Sequence, residues 1–514
     1  MTDFEDLTGS IHRKGAEPSI IESFGIRGLY GYQSISLASE YAATILIAKN
    51  GTGKTTLLGA LNAFLRMQLS RLRNLEFSEI HCKLRSEKEE LILSHNDVVE
   101  FLQVPTDGEL VRTASRASLE PPALLTFVIE EWVESEANRY SAAESKVFGA
   151  LLSAYDYNRR EVTLALKKMR VSLMERQTNI ARISDVLAKA LDGIDIVYLP
   201  TYRRVELALR GDPRDTPHRK RRPKFDIASG SLFTGEIQFG LSDISDRLSE
   251  LNQELILKSN IGYREISADI INELIDGSFE SEVTSETGVP SPEELRLFFE
   301  RLESGRRQGP YMPVSVPNLD RIYTGEGVPT SSSRFLNYFL AKLTTVIRST
   351  KDVELPVSGF IDSCNKYLTS VEPSTAIRKS AEVSDDQVIY GKALRVNRSN
   401  LRVHVESVPE SRRISLDALS SGEKQMISLF AKMFLYPGRK IVLIDEPELS
   451  LSIDWQRDIL VDVLNAPLCS QLIAITHSPF VFDNELDPFA RALKLGRADV
   501  EFGPVDEAEA DLDV

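Results

Sequence analysis

Ala48-Lys49-Asn50-Gly51-Thr52-Gly53-Lys54-Thr55-Thr56 is the stretch on which the reading of this chain turns. Before it runs Thr44-Ile45-Leu46-Ile47, a short apolar run of the kind that forms a buried strand. After it Leu57, Leu58, Leu61, Phe64 and Leu65 recur on one side of a helix. Strand, glycine-rich turn and helix in this order present backbone N–H groups and the positive end of a helix to an anion. Lys54 is then placed to reach the β- and γ-phosphates of a nucleotide, and the Thr55 hydroxyl to ligate Mg²⁺. Asn50, Gly51, Thr52, Gly53, Lys54, Thr55 and Thr56 are the expected cradle, with ATP and Mg²⁺ as the expected ligands. The usual form G-x-x-x-x-G-K-[ST] has glycine at its first position, where this chain has Ala48; alanine serves there if its φ is negative.

Two more strands with polar ends lie near the C-terminus. Ile441-Val442-Leu443-Ile444 runs into Asp445-Glu446-Pro447. A buried strand that delivers carboxylates at its C-terminal edge can hold Mg²⁺ beside a phosphate loop. Asp445 is the expected metal holder and Glu446 the group that polarises the attacking water. From Glu446 it is 31 residues to His477, which ends a further apolar run, Gln471-Leu-Ile-Ala-Ile-Thr476. That spacing fits one helix between neighbouring strands, and His477 is expected to sense the γ-phosphate. Just upstream stands Leu419-Ser420-Ser421-Gly422-Glu423, followed by an apolar helix through Ile427, Leu429 and Phe430.

This set of motifs, in this order, resembles the ABC-type ATPases of the SMC and OLD kind. The resemblance implies an α/β fold, an ABC-type ATPase head of the P-loop class, carrying a large, mostly helical insertion. It also implies that the signature segment of one subunit closes over the γ-phosphate held by another. Ser420, Ser421, Gly422 and Glu423 would then contact nucleotide in trans, and the active unit would be at least a head-to-head dimer or a larger ring. Ser421 and Glu423 stand where that family often has glycine and glutamine. Glu448-Leu449-Ser450-Leu451 would be the connecting loop that senses the opposite subunit. Tyr32 and Arg27 are candidates for stacking on the base.

From Lys54 to Glu446 is 392 residues, far more than a compact head needs. The expected division is a head formed by residues 1–85 and 401–514, with 86–400 as a helical insertion. The strand-like Ile194-Asp-Ile-Val-Tyr-Leu-Pro200 would return from that insertion to the head. Inside it, Val162, Leu166, Met169 and Leu173, then Ile180, Ile183 and Leu187, and separately Leu241, Ile244, Leu248, Leu251 and Leu255, step by threes and fours. Such seams suit a short coiled coil or a packed bundle equally. Ser291-Pro292-Glu293-Glu294 marks a helix start, with an N-cap serine, a first-turn proline and a glutamate at N3.

Composition sets the outer limits. With 514 residues, 42% hydrophobic and 27% charged, the chain is long enough for more than one core. It has no apolar run of membrane-spanning length, its acidic first residues are not expected to be a secretory signal, and its three scattered cysteines suggest a reducing cytoplasm. A net charge of −15 does not advertise nucleic-acid binding. Nine Lys/Arg against three acids between Arg203 and Lys224 run the other way, and Arg219, Lys220, Arg221 and Arg222 are the residues that would meet a phosphate backbone. The last 16 residues carry seven acids and no base. Only 37 residues follow His477, too few for the TOPRIM nuclease of the OLD enzymes. The layout is similar to that of stand-alone ATPase subunits of bacterial antiphage systems such as PARIS and Septu, which work with a separately encoded nuclease or toxin effector. The expected function is an ATPase that holds and releases such a partner; the alternative is an SMC-like DNA-binding ATPase of repair or recombination.

Overall fold

The structure, a computed structural model, describes residues 13–49, 51–105, 108–132, 145–200, 241–276, 289–306, 319–324, 330–369, 391–415, 418–449 and 451–497. Asn50, Ser450, the Arg203–Lys224 stretch with Arg219, Lys220, Arg221 and Arg222, and the acidic end lie outside the described residues. The chain divides into two compact units, one within residues 1–238 and 438–514 and the other within 239–437.

The first unit holds two five-stranded sheets. Strands β1 (Ile21–Leu29), β2 (Gln33–Ala38) and β3 (Ala43–Ile47) precede helix α1 (Lys54–Leu65), and β4 (Glu79–Leu84) and β5 (Leu91–Ser94) follow it. Helices α2 (Arg159–Arg176) and α3 (Thr178–Ala190) lead into β6 (Ile194–Leu199). Strands β10 (Arg439–Asp445), β11 (Cys469–Thr476), β12 (Ala490–Ala492) and β13 (Lys494–Arg497) complete the unit, with α8 (Ile453–Asn465) between β10 and β11. One sheet is parallel, in the order β12-β3-β11-β10-β6. Its central strands are buried almost end to end, as their unbroken aliphatic runs demand of a parallel sheet covered on both faces. The other is antiparallel, in the order β13-β2-β1-β4-β5. The one-helix spacing between the acidic strand and the Thr-His strand thus gives adjacent parallel strands.

The second unit is built on two long helices, α4 (Leu241–Asp276, 36 residues) and α6 (Thr330–Leu368, 39 residues), with α5 (Pro292–Arg306) beside them. A small antiparallel sheet of β7 (Gly391–Asn397), β8 (Arg402–Val408) and β9 (Arg413–Ile414) precedes α7 (Ser421–Leu435). Leu295, Phe298, Phe299 and Leu302 of α5 join Ile266 and Ile270 of α4 and Leu343 and Val346 of α6 in one core. The Ser291 cap forms as expected: its hydroxyl accepts from Glu294 N–H, and the Glu294 carboxylate accepts from Ser291 N–H.

The expected domain bounds are displaced. Val162, Leu166, Met169, Leu173, Ile180, Ile183 and Leu187 are all buried in the same core as β1, β4 and β5. Residues 86–200 therefore belong to the first compact unit, because their seam closes on the head core rather than on another coil. Residues 401–437, signature included, cluster with the helical unit.

One buried amide ties the two sheets of the first unit together. Gln471 on β11 is fully buried. Its Oε1 accepts from the N–H groups of Ile20 and Ile21 at 3.0 and 2.9 Å, and its Nε2 donates to Ile21 O and Ser39 Oγ at 3.0 and 2.9 Å. Gln471→Leu would take this partner from the Ile20 and Ile21 N–H groups and from Ile21 O, while Ser39 Oγ keeps Thr44 Oγ1 at 2.7 Å, at about 1–3 kcal/mol for each orphaned group. Hydrogen exchange at the Ile20 and Ile21 amides should show their opening free energy lowered by about 3 kcal/mol or more; unchanged protection would show that the amide is not the tie.

Candidate nucleotide site

Register brings the polar ends of three strands to one edge. Asp445 lies level with Ile475, and Thr476 with Ile47. The ladder continues past the strand ends, with Glu446 N–H donating to Ile475 O at 2.9 Å and Ala48 N–H to Thr476 O at 3.2 Å. The phosphate loop, the two acids and the histidine therefore emerge side by side at the carboxyl edge of the sheet, where ligands bind in such folds.

The loop keeps its expected geometry. Gly51 and Gly53 have φ of 81° and 91°, a conformation that a side chain disfavours, and Gly53 is the N-cap of α1. Ala48 does not take a positive φ, so alanine is accommodated at the atypical first position. Thr52 Oγ1 donates to Lys49 O at 2.9 Å, and Gln33 Nε2 from β2 donates to Thr52 O at 3.0 Å. Lys54 and Thr56 are buried. Gln33 is a loop-positioning residue that no local motif announces.

The acids meet the loop across almost the whole chain. Thr55 Oγ1 donates to Asp445 Oδ2 at 2.6 Å, and Lys54 Nζ lies 3.1 Å from Glu446 Oε1. Along a regular strand, neighbouring side chains point to opposite faces. Glu446 escapes that alternation by taking φ 53°, a left-handed conformation costly for a residue with a Cβ. Both carboxylates thereby reach the same loop. Among the described residues Asp445 Oδ1, which is buried, has no hydrogen-bond partner. A bare carboxylate oxygen beside the Thr55 hydroxyl at a phosphate loop is a donor set that fits Mg²⁺. Burial, with the Glu446 charge adding to it, pushes the Asp445 carboxyl up to about 6 against the pull of Thr55 and Lys54.

His477 is held by a residue outside the expected site. Glu448 is buried. Its Oε2 accepts from Thr476 Oγ1–H at 2.8 Å, and its Oε1 accepts from His477 N–H at 3.0 Å and lies 2.8 Å from His477 Nδ1. His477 Nδ1 stands 3.9 Å from Glu446 Oε1. Lys54, Glu446, His477 and Glu448 thus stand in one line along the carboxyl edge. The motif order alone assigns Glu448 to a loop facing another subunit; the structure turns it to His477 instead. Its role beside His477 was hidden because 29 residues separate them and only strand pairing makes them neighbours.

Ser420, Ser421, Gly422 and Glu423 open α7 in the second unit. Ser420 Oγ accepts from Glu423 N–H at 3.3 Å, Ser420 N–H donates to Glu423 Oε2 at 2.6 Å, and Lys392 Nζ reaches the same carboxylate at 2.8 Å. Glu423 is thus engaged in a capping box and an ion pair; Gly422 is buried and Ser420 exposed. Of the two candidates for the base, Arg27 pairs with Glu79 at 3.7 Å, whereas Tyr32 is 65% exposed on the hairpin that carries Gln33.

Residues 330–483 match the family described as "AAA domain, putative AbiEii toxin, Type IV TA system". No curated protein matches the chain. Among solved structures, the Smc head domain with an extended coiled coil from Pyrococcus furiosus, bound to the C-terminal domain of ScpA, is similar at 13% identity, over 93% of this chain and 96% of that one, with a TM-score of 0.33. An SmcHead bound to the C-winged helix domain of ScpA is similar at 12% identity, over 93% and 97%, also with a TM-score of 0.33. The fold is α/β, with a P-loop-type strand–loop–helix at the edge of a parallel sheet and a large helical region, and residues 330–483 are similar to an AAA-type ATPase domain. Among the described residues no helix is long and apolar enough to cross a membrane.

The buried aspartate has a consequence for stability without metal. Below its ordinary value of 3.8 Asp445 is neutral whether the chain is folded or not, and it costs nothing. Above about 6 the folded chain carries the full cost of a buried charge, so this group's contribution to stability falls as pH rises between those values. In EDTA, Asp445→Asn should therefore be the more stable protein at pH 7.5, by about 3 kcal/mol at most. The gap should close below pH 4; denaturant titrations at both pH values test it, and equal stability at pH 7.5 would refute the buried-charge reading.

Proposed function

We propose that this protein is a Mg²⁺-dependent ATPase that couples ATP binding and hydrolysis to holding and releasing a partner protein. The observation that carries the reading is the meeting of Thr55 with Asp445 and of Lys54 with Glu446, residues about 390 positions apart. Nothing in a merely structural turn calls for two carboxylates, one with a bare buried oxygen, against a glycine-rich loop at a helix N-terminus.

Each side chain has a task in this scheme. Lys54 leaves Glu446 and donates to the β- and γ-phosphates, and the N–H groups of Gly51 to Thr56 surround the phosphate oxygens. Thr55 and Asp445 would hold Mg²⁺, which supplies charge neutralisation across the phosphates. Glu446, released from Lys54, accepts a proton from the attacking water. His477 donates toward the γ-phosphate, and Glu448 fixes the position of its ring. Catalysis here is positioning and electrostatics, as expected for phosphoryl transfer. Ser420, Ser421, Gly422 and Glu423 would complete the site from a second copy in a head-to-head dimer; the exposure of Ser420 at the start of α7 is consistent with that.

The partner in this reading is a separately encoded nuclease or toxin effector of an antiphage system. Its support is the overall layout; the matched family's description as a putative toxin of a Type IV toxin–antitoxin system belongs to the ATPase domain itself and favours a defence setting rather than a particular partner.

Lys54→Ala should abolish ATP binding in calorimetry. Glu446→Gln should bind ATP and Mg²⁺ but release phosphate at least ~100-fold more slowly, the usual scale for a lost general base; wild-type turnover in this variant would sink the assignment. Glu448→Gln should lower kcat about tenfold with nucleotide affinity unchanged, as loss of an orienting partner does elsewhere. A fall in affinity alone would make Glu448 a binding residue instead.

A further inference from the structure

Helix α4 carries apolar residues on two faces. On one, Leu255, Ser259, Ile266 and Ile270 are buried, and Gly262 sits so close to α6 that an added Cβ would meet Val346 at 2.7 Å. On the other, Leu257, Ile261, Ile271 and Ile275 are 59%, 46%, 58% and 76% exposed. Arg264 and Ala268, also exposed, fill the positions between them. The steps along 257, 261, 264, 268, 271 and 275 are alternately four and three, the spacing of a coiled-coil seam. At 1.5 Å per residue the stripe is about 27 Å long. Single exposed aliphatics need no explanation, but four aligned at this spacing on a helix face that no described residue covers mark an interaction surface.

We propose that this stripe is a self-association seam, covered in solution by the same helix of a second copy running antiparallel. The seam itself selects this occupant. It reads alike in both directions about Ile266, so that Leu257 faces the second copy's Ile275, Ile261 faces Ile271, and the long Arg264 faces the small Ala268. Charge follows the same rule. Lys258, which also pairs with Glu254 of its own helix at 2.9 Å, Arg264 and Glu265 lie in the N-terminal half of the seam, and Asp269 and Asp276 in the C-terminal half, all exposed, so the halves are net basic and net acidic. Antiparallel pairing sets Arg264 near Asp269 and Lys258 near Asp276 of the other copy; in-register parallel pairing sets like beside like. The contact is isologous and closes as a dimer. It requires no nucleotide, so it is distinct from the ATP-closed head contact proposed above. A chain with two different isologous contacts builds assemblies larger than a dimer.

The test uses the full chain in EDTA without nucleotide. Sedimentation equilibrium should show a reversible dimer with a dissociation constant on the order of micromolar, since a single short seam is a small interface. Ile261→Asp combined with Ile271→Asp should weaken it at least ~100-fold while leaving circular dichroism unchanged, because truncating central apolar anchors has effects of that size. Orientation is read by disulfide trapping. Cys82, Cys364 and Cys469 are buried, so new surface cysteines report cleanly. Under mild oxidant, Leu257→Cys chains mixed with Ile275→Cys chains should give a covalent heterodimer, and neither alone should cross-link. A monomer at all concentrations overturns the proposal, even if a cysteine placed at Ile271 is slow to label, for the stripe is then covered by the chain's own residues. An Asp variant that dimerises normally overturns it too, and so does cross-linking of Leu257→Cys with itself.

Discussion

The parallel register of β3, β11 and β10 is the constraint on which the site depends. Asp445 level with Ile475, and Thr476 level with Ile47, place the ends of three strands in line. A slip of one residue in a strand would send its terminal polar side chain to the opposite face of the sheet. The register is secured by near-complete burial of β10 and β11 and by Gln471 on β11, whose buried amide meets its partners on β1 and at Ser39 in one placement. The nearly featureless middles of these strands therefore determine where the chemistry at their ends is placed.

Burial also shapes the electrostatics at that edge. A buried carboxylate is stable only when charge or hydrogen bonds meet it. Glu446 has Lys54, and Glu448 has Thr476 and both the backbone and ring of His477. Asp445 has only Thr55 on one oxygen, and its carboxyl is accordingly pushed up to about 6. The unevenness has a use. In the proposed function the group least satisfied by the protein would gain most from a cation, and Lys54 would leave Glu446 to meet the phosphates. The left-handed turn at Glu446 is what makes this pairing of two adjacent acids possible.

The long interval between the motifs is filled in two different ways. Residues 159–190 close their seams on the head core, where Leu166 and Ile180 are fully buried among residues of β1, β4 and β5. Residues 241–276 instead use one face internally and leave the other outward. The two segments share the same three-four spacing of apolar residues in the sequence, because helix periodicity records that a face is buried and not what buries it.

Local sequence determined whatever depends on a few neighbouring residues: the glycines of the phosphate loop, the apolar strands before Thr55, Asp445 and His477, the Ser291 cap and the α/β class itself. These were legible because backbone conformation and burial periodicity are short-range effects. Only the tertiary structure decided that Glu448 supports His477, that Gln33 ties the loop to β2, that Gln471 joins two sheets, and that the head core extends to residue 200. Each of those depends on pairing between strands or helices tens to hundreds of residues apart. Nothing in a chain's local pattern encodes which of its many compatible faces will meet; the joint burial of all of them does.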